Sequence, residues 1–567
     1  MLDGMKRWTM ERMVTMNLLD DPWIPVQLGD SHIEVSGRDA ILRSNEIAQL
    51  TVTAPTMMAV ILRQFLLPVV MDALGVPQSA REWPRWMRLF TDGSLSSQDG
   101  ISGRTDGNEW SARKRQELAD YFAEHHDSFE LFHPERPFAQ VADLRTTNND
   151  TKSTSLLIPS VASGNNVPLF STRLGDAPWP LTPAEAARWL LHAQCWDTAA
   201  IKTGVVGDKQ AKNGKTTGNP TGPLGQLGMV IPVGRTLAET LVLNLPIVAD
   251  GLPESDRPQW RRGPWTPVWA PGRAMGRLEL LTWQSRRIRL HTAGTPDGVR
   301  VTSVVLSAGD RLIETPLHEP HTVWNVDPKP KAGVPPVRPR RHSSGRAAWR
   351  GLDALLALGE GTGKVRTSRQ LEDLAEVLDQ DFPLQVFTVG VEYGNQSAVV
   401  ENVIADSLPL PVAALREVAV RDALIQIAEQ ADDVAKAVNL LSADLRRAAG
   451  CEPLPWDKGQ RPGDRLLHAL DPSTRRVLGK LRTRSDPDAV TAVHTAWEQV
   501  ARRTAFEIAE PLLCDASPRQ FAGVETEHNK KKITHCSPRA ELSFHKRIRD
   551  ALPLAAAINR RDPDQEV

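Results

Sequence analysis

From Val418 onward, apolar side chains recur at three- and four-residue steps: Leu424, Ile427, Ala431, Val434, Val438, Leu441 and Leu445, with Gly450 closing the run. That spacing lays one apolar stripe along a single long helix. A helix with one apolar face has to bury it against other elements, and helical patterns near 473–483, 488–511 and 540–558 supply them. Residues 401–567 are therefore expected to form a four-helix bundle. The chain before it mixes short strand patterns with helices, so residues 16–400 are expected to form one large mixed α/β domain. The fold class expected is α+β. Methionines at positions 1, 5, 10, 13 and 16 offer several start codons, and residues 1–15 are read as an N-terminal extension or a misplaced start.

Composition limits the function classes. The 567 residues correspond to roughly three to five domain equivalents, enough for large cores. Lys and Arg number 68 against 69 Asp and Glu, a formal net charge of −1, so any nucleic-acid surface has to be a local patch. The four cysteines, Cys195, Cys451, Cys514 and Cys536, lie far apart with no C-x-x-C pair, which argues against a disulfide scaffold or zinc ribbon and for a reducing cytoplasm. The most apolar stretch, Met57 to Val76, is broken by Arg63, Gln64 and Asp72 and is expected to be a buried helix rather than a membrane span. It should run from Thr56 to Leu74 and end at Gly75.

Further helices are expected at Ser111–His126 and from Thr182, where Thr182-Pro183-Ala184-Glu185 is a capping box with proline at the first helical position. A glycine-rich loop follows from Ala199 to Gly228, and Thr236-Leu237-Ala238-Glu239 is a second capping box. Residues 141–180 read as a long loop. Strand patterns dominate from Arg277 to Val305, with Arg286, Arg287 and Arg289 placed near a hairpin turn. Short helices are expected near 347–358 and 368–380. Gln385 to Tyr393 alternates as a strand and turns at Gly394-Asn395-Gln396-Ser397.

Catalytic motifs fail on spacing. Gly214-Lys215-Thr216 ends like a phosphate loop, but Lys209 stands where its first glycine belongs; Gly363-Lys364 has Leu358 and Val365 at the two diagnostic positions. His125-His126-Asp127, with His133 nearby, resembles half a metal site, yet adjacent helical residues point apart and no second ligand pair follows. No metal site, cofactor or catalytic residue is expected. Nucleic-acid features are stronger. Lys202, Lys209, Lys212 and Lys215 sit among glycines with only Asp208 opposing. A proline-rich run at 328–346 carries Lys329, Lys331, Arg338, Arg340, Arg341 and Arg346 without an acid.

The segment Asn17-Leu18-Leu19-Asp20-Asp21-Pro22-Trp23-Ile24-Pro25-Val26 resembles the opening of the CasA family, the large subunits of the type I-E CRISPR surveillance complex Cascade. Arg136–Gln140, Gln194–Gly204, Gly225–Gly228 and Gly394–Ser397 match the family in order. The resemblance implies a non-catalytic subunit that recognises the protospacer-adjacent motif in double-stranded DNA, helps open the duplex for R-loop formation and docks a helicase-nuclease. Implied partners are the backbone subunits, the small-subunit dimer, the guide CRISPR RNA and target DNA. By the same resemblance, Ala200, Ile201, Lys202 and Thr203 form the motif-recognition loop. Gln396, beside Asn395, is the wedge under the first base pair, and Leu169, Phe170 and Ser171 are the loop that touches the guide.

This chain departs from the family pattern in three places. It has Ala200–Thr203 where better-known relatives carry several glycines, it lacks the paired C-x-x-C zinc ligands of some relatives, and it offers only Arg311 near the family's minor-groove lysine. The competing reading is a metal- or nucleotide-dependent nucleic-acid-processing enzyme that uses His126 and Asp127.

Overall fold

The computed structural model describes residues 15–95, 105–161, 179–358, 364–453, 461–483, 485–528 and 531–559. Strands and helices mix through the first two-thirds and helices dominate the last third, an α+β fold. Two compact units interleave along the sequence. One holds Met1–Ser344, Ser368–Val377 and Phe387–Asp406; the other holds Gly345–Thr367, Leu378–Val386 and Ser407–Val567. The single cut expected at 400/401 falls inside the strand Val399–Pro409, and two shorter segments before it belong to the C-terminal unit.

The first unit is built around the apolar stretch. Its helix runs Pro55–Leu74 and ends at Gly75, whose φ of 78° gives the left-handed stop. By length and composition this helix could cross a membrane, but 83% of its most apolar window is buried inside the unit. Residues Leu62–Leu66 form a π turn, and the interrupting pair Arg63 and Gln64 is buried in it. Arg63 is tolerated there because Glu319 receives both of its terminal nitrogens, at 2.5 and 2.8 Å. Against this helix the Asn17–Val26 segment ties a local knot. Asn17 accepts from Leu19 N–H at 2.9 Å, Asp21 accepts from Asn17 N–H at 2.7 Å, and the buried Trp23 donates to the Leu18 carbonyl at 2.8 Å. Trp23 also meets Phe65 edge-on at 4.9 Å. The segment that carries the strongest family resemblance is thus core architecture.

The capping boxes behave differently. Thr182 and Glu185 exchange both expected bonds, opening the helix Pro183–Trp196. At the second box Thr236 accepts from Glu239 N–H, but the Glu239 carboxylate turns to the backbone and guanidinium of Arg235 instead. An arginine one residue before the cap outcompetes a neutral N–H for the carboxylate. The strand pattern expected from Arg277 begins as a short helix, Arg277–Leu281. The hairpin itself pairs Arg286–Thr295 with Gly298–Ala308, so Arg286, Arg287 and Arg289 lie at the end far from its turn.

In the second unit the helix Val418–Ala448 packs against Pro462–Leu481, Pro487–Cys514 and Ser537–Ala551, a four-helix bundle. The stripe read from sequence is buried from Leu424 through Leu445, whereas Val418, at the first helical position, is 62% exposed. The second bundle helix starts at Pro462 rather than 473, carrying Pro472 in its interior. Pro553 divides the expected last helix, and a hairpin of Val524–His528 with Lys531–His535 precedes it.

Candidate nucleic-acid interface

The helix Pro183–Trp196 delivers Asp197 at its C-terminal end, the end of a helix dipole that disfavours an acid. Two cations offset that. Lys202 Nζ lies 2.6 Å from the Asp197 carboxylate, and Arg286 Nε bonds the same oxygen. The remaining Arg286 nitrogens donate to the carbonyls of Ser285 (2.7 Å), Thr198 (2.9 Å) and Pro220 (2.8 Å). Gln194 fixes the helix end to the start of the same strand: its side-chain oxygen accepts from Arg286 N–H at 2.8 Å and its nitrogen donates to the Arg286 carbonyl at 3.0 Å.

Burial pushes the Asp197 carboxyl upward, but the charges of Lys202 and Arg286 outweigh it and hold the group below its ordinary range. Burial pulls the Lys202 ammonium down to about 8, with Asp197 opposing the shift. At neutral pH Asp197 and Lys202 are therefore an ion pair.

As one of the loop lysines and a member of the expected motif-recognition loop, Lys202 should present its ammonium to a ligand. It does not: the residue is 5% exposed and its ammonium is engaged inside. What the loop presents is Ile201, 61% exposed, between Ala200 and the buried lysine. Lys202 and Thr203 form a short strand against Lys215–Thr216, and the Gly204 N–H donates to the Gly214 carbonyl at 2.8 Å. Asp208, the one acid among the loop lysines, is turned inward, accepting from the Thr216 hydroxyl at 2.8 Å and Gln210 N–H at 2.9 Å. Lys209, Lys212 and Lys215 are exposed and make no ion pair with a described residue.

The turn Asn395–Ser397 closes the hairpin of Gln385–Gly394 and Val399–Pro409. Its three residues have φ values of 28°, 57° and 59°, a run of left-handed conformations without a glycine. Each costs on the order of 1–2 kcal/mol, so the surroundings must hold the turn. One such restraint is the bond from Ala199 N–H to the Ser397 carbonyl at 2.8 Å, which joins the turn to the loop that leads into Lys202. Asn395 and Gln396 are exposed at its tip.

Glycines let the remaining pieces approach. A Cβ at Gly222 would sit 2.3 Å from the Cys195 carbonyl oxygen, and one at Gly225 would sit 2.4 Å from the Tyr393 hydroxyl. Tyr393 donates that hydroxyl to the Trp196 carbonyl at 2.7 Å, linking strand and helix end. The Gln226 carbonyl accepts from Arg341 Nε at 3.3 Å, bringing the basic run beside the Gly225–Gly228 loop. Arg338 and Arg341 are exposed and Arg340 half-buried. Arg311 stacks on Trp269 at 4.2 Å and donates to the Thr217 carbonyl at 2.7 Å.

The loop Ala199–Thr203, the turn Asn395–Ser397, the Gly225–Gly228 loop and Arg341 of the second basic run thus share one neighbourhood in the first unit. Leu169, Phe170 and Ser171 lie outside the described residues. His126 bonds Asp20 at 2.8 Å and Asp127 at 3.3 Å on the surface, and its pKa is raised first by the bond to Asp20. Among the described residues no cluster of three or more His, Cys, Asp or Glu side chains is placed to hold a metal ion. Sequence reasoning missed the roles of Asp197, Arg286 and Tyr393. The available signals were an acid at a helix C-terminus and a pair of arginines opening a strand.

Comparison with known proteins places the chain among its relatives. The family model for CRISPR-associated protein Cse1 matches residues 17–508. The CRISPR-associated protein CasA/Cse1 of Thermus thermophilus is 28% identical over 534 residues, covering 91% of this chain and 94% of that protein. The crystal structure of Thermobifida fusca Cse1 superposes with a TM-score of 0.78 at 32% identity, covering 95% of this chain and 99% of that one. Cse1 from Acidimicrobium ferrooxidans gives 0.75 at 25% identity over 95% and 99% of the two chains. A chain of a CRISPR RNA-guided surveillance complex shares the fold, at a TM-score of 0.59 and 20% identity, with 95% and 99% covered. The family model spans most of the sequence, and the chain belongs to the CRISPR-associated Cse1 family.

Proposed function

We propose that this chain is the large, non-catalytic subunit of a type I-E CRISPR RNA-guided surveillance complex in the cytoplasm. In this reading it recognises the protospacer-adjacent motif in duplex DNA, helps open the duplex for R-loop formation and docks the helicase-nuclease. It would assemble with the backbone subunits, the small-subunit dimer and the guide RNA. The observation that supports the reading is the 2.8 Å bond between Ala199 and Ser397, which sets side by side the loop and the turn to which the family resemblance gives motif reading and strand opening. Because the guide reads sequence by pairing, the protein needs only a brief duplex element, and a small exposed loop beside surface lysines suffices.

Mixing the chain with the guide-RNA complex should raise that complex's affinity for motif-bearing duplexes. An unchanged affinity would sink the reading. Alone, with a net charge of −1 and only local basic loops, the protein should bind DNA weakly, with little sequence preference and a steep loss on raising salt. A gel-shift titration at two salt concentrations checks this; tight, selective binding by the lone chain contradicts it.

Gln396→Ala in the assembled complex should leave motif affinity nearly intact and impair opening of linear target DNA. The wedge has to supply only a few kcal/mol, against stacking of about 1.4 kcal/mol per step. Negative supercoiling already favours opening, so a supercoiled target should partly rescue the variant. Permanganate footprinting of the first target base pairs decides: equal opening of linear DNA by variant and wild type removes Gln396 from the wedge role.

A further inference from the structure

We propose that Ile201 is the side chain of the motif loop that contacts the duplex, and that Asp197, Lys202 and Arg286 act beneath it as positioning residues that never touch DNA. The inference deepens the proposed function and rests on it. Its basis is a division of labour within the six residues Asp197–Lys202. Lys202 lies inside, bound to Asp197, while Ile201 next to it stands 61% exposed, an unusual place for an isoleucine on a loop otherwise tied down by hydrogen bonds.

Two grooves meet at this side chain. One, of about 210 Å³, is lined by Ile158, His192, Ala200, Ile201 and Ala398 among others. The second, of about 450 Å³, runs past Thr147, Asn148, Lys152, Ile201 and Lys215. Lys152 and Lys215 are both exposed on its rim. An apolar tip flanked by solvated cations matches duplex DNA. The lysines suit the phosphate backbones and the isoleucine suits base edges, or a step it can partly unstack, in the groove between them. Ile201 also sits beside Ala200 and Ala199, whose N–H holds the wedge turn, so a contact at Ile201 would be transmitted to the point of strand opening.

The buried cluster explains how a loop of this kind keeps its tip in place. Arg286 ties the carbonyls of Thr198 and Pro220 on the two sides of the loop, and Asp197 anchors both cations. Lys202 therefore shapes the loop from below, and its length is spent reaching inward.

The test uses the assembled guide-RNA complex and a duplex library randomised at the motif positions, with binding measured at several salt concentrations. Ile201→Ala should lower affinity for the preferred motif about tenfold and flatten the preference profile, with an unchanged salt slope. Lys215→Ala and Lys152→Ala should weaken binding uniformly across motifs and each reduce the slope of log K against log salt by about 0.9. Lys202→Met, which keeps the side chain's bulk, should leave the salt slope at its wild-type value and alter the preference profile alone. Two outcomes overturn the proposal: an unchanged profile for Ile201→Ala, or a reduced slope for Lys202→Met. If the wild-type complex itself shows no motif preference, the functional reading falls first. If wild type discriminates and Ile201→Ala does so equally, only the present inference falls. Ile201 is exposed, so its replacement should leave the thermal transition unmoved, and a shifted transition would count against its assignment as a surface contact.

Discussion

Glu319→Gln should destabilise the first unit by about 3–5 kcal/mol, a fall of roughly 5 °C in its calorimetric transition. The reason is the company Glu319 keeps. It is 1% exposed and receives both terminal nitrogens of Arg63, itself 2% exposed in the π turn of the central helix. Arg63 Nη1 also donates to His321 Nδ1 at 2.7 Å, which leaves the ring proton on Nε2. Burial would raise the Glu319 carboxyl, but the Arg63 charge prevails and keeps it below its ordinary range. Glutamine retains the shape and removes the charge, so a guanidinium is stranded where water cannot reach it. Replacing both partners, Arg63→Met with Glu319→Leu, should recover most of the loss, because the uncompensated charge is what costs. A double variant as unstable as the single one would refute this account.

Two buried histidines, His321 of this cluster and His192 elsewhere in the first unit, carry a pH signature. Burial first, and Arg63 second, push His321 down to about 3, and burial alone pushes His192 to about 3. Unfolded histidine takes its proton near pH 6.5 while these two stay neutral in the fold. Stability is therefore lost as pH falls from about 6.5 toward 3.

How much of this was legible in the sequence depends on range. The bundle helix could be read because its determinant is local: one stripe, one period, one glycine stop. The Thr182 capping box is likewise a matter of four consecutive residues. The Thr236 box failed in half because Arg235 competes for the carboxylate, and the four-residue pattern takes no account of the residue before it. The loops of the candidate interface are located by resemblance, and of their side chains Lys202 is the one whose placement the sequence misleads on. Lys202 reads as a phosphate contact because lysine among glycines usually faces water. It turns inward because Asp197 and Arg286 meet it there, and Arg286 lies 84 residues further along the chain. Arg63 has the same lesson on a larger scale: its partner is 256 residues away. A charge in an apolar run can be noticed in sequence, but which distant acid answers it depends on tertiary structure.

Asp197→Asn should be the most damaging single change at the candidate interface, costing about 3–5 kcal/mol and, if the proposed function holds, abolishing motif preference in the assembled complex. It leaves Lys202 and Arg286 buried side by side with no anion, turning an attraction into a repulsion. Lys202→Met should be mild by comparison, since Asp197 keeps Arg286 and the cluster becomes a neutral pair. The two changes should not add. With Lys202 already methionine, Asp197→Asn strands only Arg286, whose other nitrogens are still received by the carbonyls of Ser285, Thr198 and Pro220. The double variant should therefore be more stable than Asp197→Asn alone, a coupling of about 1–3 kcal/mol in a double-mutant cycle. Wild type also differs from Lys202→Met in its pH profile. The folded Lys202 holds its proton to about 8, against 10.5 for the ordinary side chain, so wild type gains stability relative to the variant as pH rises through that window. Thermal unfolding of the four proteins between pH 7 and 10 measures both effects. Strict additivity, together with a stability difference between wild type and Lys202→Met that does not change with pH, would show that the three side chains do not act as one charged cluster.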